Sequence, residues 1–249
     1  ETSTVNAYGL EVVEILLFDE STDHRCSSFA IDESLWSALS ESELRSRRAQ
    51  YVARASARVF EDGERLLAAW NGGFRDAFAE AGNPGSPFRS AQDAVNEVFA
   101  AMFYVDLVVK DDKLGTPAGL SSRCLTDTCI DQAESRFADE SRRFVRANLE
   151  GFSAMYTGGD GVGFDDFLTA AGAQDLANRM SERTNAAVTA AQDPEPPLIS
   201  ALRQGRGTPA FAEIEALHEE VRQLSELLQT QFVSVLALRI PQEGAGDND

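Results

Sequence analysis

Two glutamates three residues apart, Glu11 and Glu14, sit inside an apolar stretch that reads Gly-Leu-Glu-Val-Val-Glu-Ile-Leu-Leu-Phe from Gly9 to Phe18. Three residues is close to one helical turn, so on a helix both carboxylates fall on one side, roughly 60° apart. Val12, Val13, Ile15, Leu16, Leu17 and Phe18 fill most of the remaining circumference. A helix that is apolar all round is expected to be buried on all sides. Carboxylates in such surroundings need a metal, a basic partner or a proton, because desolvation of an unpaired ion is costly. The chemistry that this pattern could perform is cation binding through oxygen ligands. The competing account is structural: either glutamate could pair with an arginine, and Glu61 and Glu64 repeat the spacing on a solvated stretch.

The remaining chemistry-bearing residues are few. The chain has two histidines, His24 and His218. His218-Glu219-Glu220-Val221-Arg222 starts like the zinc-helix pattern H-E-x-x-H but carries arginine at the second ligand position, so a solvated helix face explains it better. His24 follows an acidic loop and could join a metal shell, although an exposed loop histidine is the simpler account. No nucleophile elbow, phosphate-binding loop or dinucleotide fingerprint is present, and nothing local supports enzymatic chemistry. Of the three cysteines, Cys124 and Cys129 bracket four residues of a non-periodic stretch, which reads as a local disulfide of an exported protein. Zinc is the weaker reading there, because no second cysteine pair or histidine lies nearby. Cys26 is left as a free thiol or as the partner of a cysteine outside the sequence.

The elements that must position these residues are helices. No alternating run bounded by turns marks a strand, whereas apolar residues recur every three or four positions along most of the chain. One long amphipathic stripe covers Ser34 to Glu80, with a kink expected at Gly72-Gly73 and an end at the Gly/Pro-rich residues from Gly82 to Pro87. Ser90 is an expected N-cap for a helix reaching Val109. Lys110 to Asp131 reads as a loop, and helices follow from about Ala133 to Met155 and from Phe164 to Ala191. A short Leu198–Leu202 segment precedes a last helix, capped by Thr208 with Pro209 at its first position. Its expected seam is Phe211, Ile214, Leu217, Val221, Leu224, Leu228 and Val235, and the acidic end from Gly244 to Asp249 is expected to be disordered.

The fold expected is all-α, as two packed antiparallel helical bundles with a cleft between them. The first spans residues 1–110, a disulfide-bearing connector 111–132, and the second 133–240, followed by the tail 241–249. A formal charge of −19 argues against nucleic acid and anionic membrane surfaces as partners. No apolar run approaches the roughly 20 residues that span a bilayer. The sequence opens at Glu1 without a methionine, which reads as a chain whose targeting segment has been removed.

Three segments, in order, resemble the imelysin-like family of bacterial periplasmic proteins and lipoproteins. Gly9 to Phe18 is similar to that family's G-x-H-x-x-E helix. Asp112-Lys113-Leu114-Gly115-Thr116-Pro117-Ala118-Gly119 is similar to its D-x-K-L-G-x-P-x-G loop. The third is Glu134-Ser135-Arg136-Phe137 with Ser141, followed by Asn148-Leu149-Glu150-Gly151. The resemblance implies two helical bundles with a site in their cleft, and an exported protein, periplasmic or at the cell surface, anchored through a lipid on a removed N-terminal segment. Family members are described as metallopeptidases, as components of iron uptake, or as polysaccharide binders. By this resemblance Glu11 and Glu14 are the expected metal ligands. Gly9, Lys113, Glu134, Ser135, Ser141 and Asn148 are expected to shape the cleft.

Glu11 stands where the family has histidine, and Ala138 where a serine is expected. A hard oxygen in place of imidazole weakens the case for zinc and peptidase chemistry. It favours iron or another oxygen-preferring cation, or no metal at all. The expected partners are a metal ion or small ligand and cell-envelope proteins of iron uptake. The family also has helical sequence ahead of the motif helix, so the first bundle is expected to lack an element here. A cysteine in that element would give Cys26 its partner.

Overall fold

The computed structural model describes residues 8–19, 21, 38–192 and 196–241. His24, Cys26, Pro194 and the acidic end from Gly244 lie outside the described residues. Among the described residues every regular element is helical. The chain divides into two compact units, residues 1–75 and 76–249. That division lies well before the boundary expected near residue 110. The reason is packing: Phe99, Met102, Phe103, Val105 and Val109 are buried in one core with Val145, Leu149 and the later helices.

In the first unit, α1 (Leu10–Phe18) packs on α2 (Glu41–Ala69). Ser40 caps α2: its hydroxyl accepts from Glu43 N at 3.3 Å, and the Glu43 carboxylate accepts from Ser40 N at 2.8 Å. At the far end a π turn, Trp70–Phe74, holds the expected kink, where Gly73 adopts φ 121°. The expectation that α1 is buried all round is wrong, since none of its residues is buried. Its one packing neighbour among the described helices of this unit is α2, and a single neighbouring helix covers a stripe rather than a circumference.

The second unit begins within the short α3 (Arg75–Ala79). It continues through α4 (Ala91–Met102), α5 (Ser141–Thr157), α6 (Phe164–Ala170), α7 (Gln174–Ala190), α8 (Leu198–Arg203), α9 (Pro209–Leu227) and α10 (Val233–Leu236). Ser90 and Thr208 are N-caps, accepting from Asp93 N and Phe211 N. The stretch expected as one helix from Phe164 to Ala191 is two, separated at Ala171–Ala173, where Gly172 takes φ 78°. The helix expected from Ala133 starts only at Ser141, after a run of turns.

Two π segments change the expected registers. Val105–Gly115 is π-helical, so the first six residues of the expected Lys110–Asp131 loop belong to a helix. Its wide turns are seen where Thr116 N donates to Asp111 O at 2.7 Å and Leu120 N to Gly115 O at 2.8 Å. In the last helix, Phe211 to Leu228 of the expected seam are fully buried. The π turn Leu228–Phe232 then shifts the phase, so that Phe232 is 0% exposed and Val235 38%. Phe232 becomes the hub of the core. It stacks on Phe99 at 5.8 Å between ring centroids and meets Phe164 at 5.5 Å and Tyr156 at 6.4 Å.

Candidate functional site

The motif helix of the first unit begins at Gly9, whose carbonyl accepts from Val12 N and Val13 N. Glu11 lies in the first turn, where an acidic side chain complements the positive end of the helix dipole. Glu11 is exposed and Glu14 half-buried. Water therefore reaches the pair, and the buried-carboxylate argument for a compulsory counter-charge does not apply. The other end of α1 is held by Arg48, whose guanidinium donates to Asp19 O at 2.6 Å and to Ser21 O. A groove of about 480 Å³ at that end is lined by Leu16, Leu17, Leu44, Arg45 and Arg48, and neither glutamate lines it. Among the described residues, no group of three His, Cys, Asp or Glu side chains is placed to hold a metal. Two carboxylates on one turn are oxygen donors of the kind that hard cations take.

In the second unit five of the expected residues are brought together. Lys113 is 6% exposed and ends the π segment. Its Nζ lies 2.9 Å from Glu134 Oε2 and donates to Asn148 Oδ1 at 2.8 Å, with the Tyr104 ring 5.3 Å away. Beside it Ser135 and Ser141 are buried, and Ser141 Oγ accepts from Ser135 N at 3.2 Å. That bond holds the turn carrying Glu134 against the start of α5. Gly9, Glu11 and Glu14 belong to the first unit.

The loop motif has a backbone reason for its glycines. A Cβ on Gly115 would come within 3.0 Å of Lys110 O and 3.2 Å of His218 Nε2, and one on Gly119 (φ 67°) would collide with the Asp127 carbonyl. The Cys124–Cys129 disulfide is present. Arg206 clamps its loop by donating to Ala118 O and Gly119 O at 2.9 Å and to Asp127 O at 3.3 Å.

Two buried charge clusters escaped the sequence reading. Asp106 is fully buried, and its carboxylate accepts from Ser225 Oγ and from Gln229 Nε2 at 2.7 Å and pairs with Lys110 Nζ at 3.0 Å. The available signal was the i, i+4 pair Asp106–Lys110 in an apolar run. Arg142 is the second: it donates to Ala190 O at 3.1 Å and lies 3.5 Å from Glu213. Burial lowers its pKa, and Glu213 opposes that effect. No sequence periodicity distinguishes it from the exposed Arg143 and the half-buried Arg146. His218, the one described histidine, packs on Gly115 and not on a second imidazole.

These features define an all-α protein with paired carboxylates on its first helix and a lysine–glutamate–asparagine cluster in its second unit. A family model described as imelysin, peptidase M75, matches residues 1–224, and the chain belongs to the imelysin family. Neither a curated protein nor a solved structure matches it. No described helix is long and apolar enough to cross a membrane.

Proposed function

We propose that this protein is an extracytoplasmic binding protein of the imelysin family that takes up a hard metal ion in the service of iron or metal acquisition. Glu11 and Glu14 are its protein ligands in this reading. The observation that carries it is the presentation of two carboxylates on one turn of α1, one exposed and one half-buried, which a cation reaches without first uncovering a buried ion. The glutamate at the histidine position of the family motif supports an oxygen-preferring cation over zinc. Lys113, Glu134 and Asn148 are assigned to a small ligand, because Glu134 keeps about a third of its side chain in water.

The test is calorimetric titration of the metal-free protein with ferrous, ferric and zinc ions. Iron binding that weakens at least ten-fold in the Glu11→Ala, Glu14→Ala double variant supports the assignment, and unchanged affinity overturns it. The family description favours a second reading, metal-dependent peptide hydrolysis. Hydrolysis abolished by chelation and restored by zinc would establish that reading instead.

A further inference from the structure

The sequence has 41 acidic residues, yet from Leu44 to Phe60 the helix α2 carries five arginines and no aspartate or glutamate. Three of the five are engaged locally: Arg45 pairs with Glu41, Arg58 with Asp62, and Arg48 holds the end of α1. Arg47, Arg54 and Arg58 form a separate row. Steps of seven and four residues place them within roughly 40° of one another on the helix, along about 16 Å of its axis. All three are exposed. Arg58 pairs with Asp62 at 3.4 Å and lies over Tyr8; Arg47 and Arg54 make no ion pair within 4 Å among the described residues, although the Arg47 charge adds to the lowering of the Glu43 pKa that the Ser40 hydrogen bonds chiefly cause. Ser46, Gln50, Ala53 and Ala57 run beside the row at the same spacing, also exposed and uncharged. The short side chains of Ser46, Ala53 and Ala57 would let a second helix approach to the roughly 8–10 Å of ordinary helix packing, with the arginines at its rim.

We propose that this face of α2 docks an acidic helical segment of a partner protein. Charge complementarity selects the class. A long polyanion or an anionic lipid surface would feel the repulsion of the whole protein, at −19, over a wide area. A single short helix meets the arginine row within a screening length of about 8 Å and little else. Glutamates at matching steps of seven and four along such a segment would face the three guanidiniums, whose planar forks suit carboxylates. The inference is independent of the metal reading, because it uses a different face of a different helix.

The test is fluorescence anisotropy of the full chain with a labelled helical peptide bearing glutamates at those steps. Binding is expected to weaken with salt and to fall by roughly ten-fold in the Arg47→Gln, Arg54→Gln variant. It should be unaffected by Arg179→Gln, Arg183→Gln on α7, with circular dichroism showing that both variants keep their helices. The proposal is overturned if the Arg47/Arg54 variant binds as the parent does. It is equally overturned if a peptide with the same composition in scrambled order binds equally well. Tighter arginine-dependent binding of polyphosphate or of phosphatidylglycerol vesicles would overturn it in favour of a polyanion or a membrane.

Discussion

Lys113 Nζ stands 2.9 Å from Glu134 Oε2, joining the end of the π segment to the turn before α5. The lysine is nearly covered, while a third of the glutamate side chain stays in water. Replacing Lys113 with methionine therefore leaves a carboxylate that water can still solvate in part. The expected loss is about 2 kcal/mol, below the cost of breaking a wholly buried pair. Urea denaturation of Lys113→Met, Glu134→Leu and the double variant checks this, with the double variant expected to lose less than the sum of the singles.

Asp106 is a harsher case. Its charge is fully buried and is balanced by Lys110, Ser225 and Gln229. Asp106→Asn keeps the volume but removes the carboxylate charge 3.0 Å from Lys110 Nζ. A loss of about 3–5 kcal/mol is expected. A chemical-denaturation midpoint close to that of the parent protein would show that the Asp106 charge, with its bonds from Ser225 and Gln229, is not the element holding the π segment to the last helix.

The phase shift at Leu228–Phe232 separates two apolar side chains that the helical repeat alone would treat alike. Phe232→Ala should cost about 3–5 kcal/mol, because it empties the centre of the aromatic cluster. Val235→Ala, on a partly exposed side chain, should stay within about 0.5 kcal/mol. Thermal melts of the two variants compare them directly.

Tyr156 supplies an alkaline prediction. Burial raises its phenol from an ordinary value near 10 to about 12, and its hydroxyl donates to Ala177 O at 2.9 Å. The folded pKa lies above the unfolded one, so the contribution is complete below pH 10. It is lost as pH rises from there towards 12, because the unfolded chain releases this proton first. Tyr156→Phe should be less stable than the parent near neutrality, and the gap should narrow above pH 10. Denaturation series at pH 7 and pH 10.5 measure it, and a gap that stays constant would contradict the assignment.

Helix positions were readable where the local signal was strong. Ser90 and Thr208-Pro209 announced their helices because capping depends on residues within three positions, and the seam from Phe211 to Leu228 was visible in a regular repeat. The break at Ala171–Ala173 is not visible in the apolar repeat, which continues in phase across it, and it rests on the left-handed conformation of Gly172. The loop assigned from Lys110 was misread because its charges are satisfied across the fold, as Lys113 is by Glu134 and Asn148. Sequence spacing says nothing about partners 21 and 35 residues away.

Taken alone, the sequence determined the helical class, the disulfide and the family, since each depends on nearby residues or on ordered motifs. Tertiary structure decided the environments. It left Glu11 in water where the composition of α1 suggested burial, because burial depends on how many neighbours a helix has and not on its own apolarity. It also buried Asp106 and Lys113, whose charges are accommodated because Ser225 of α9, Asn148 of α5 and Glu134 in the turn before it come to within 3 Å.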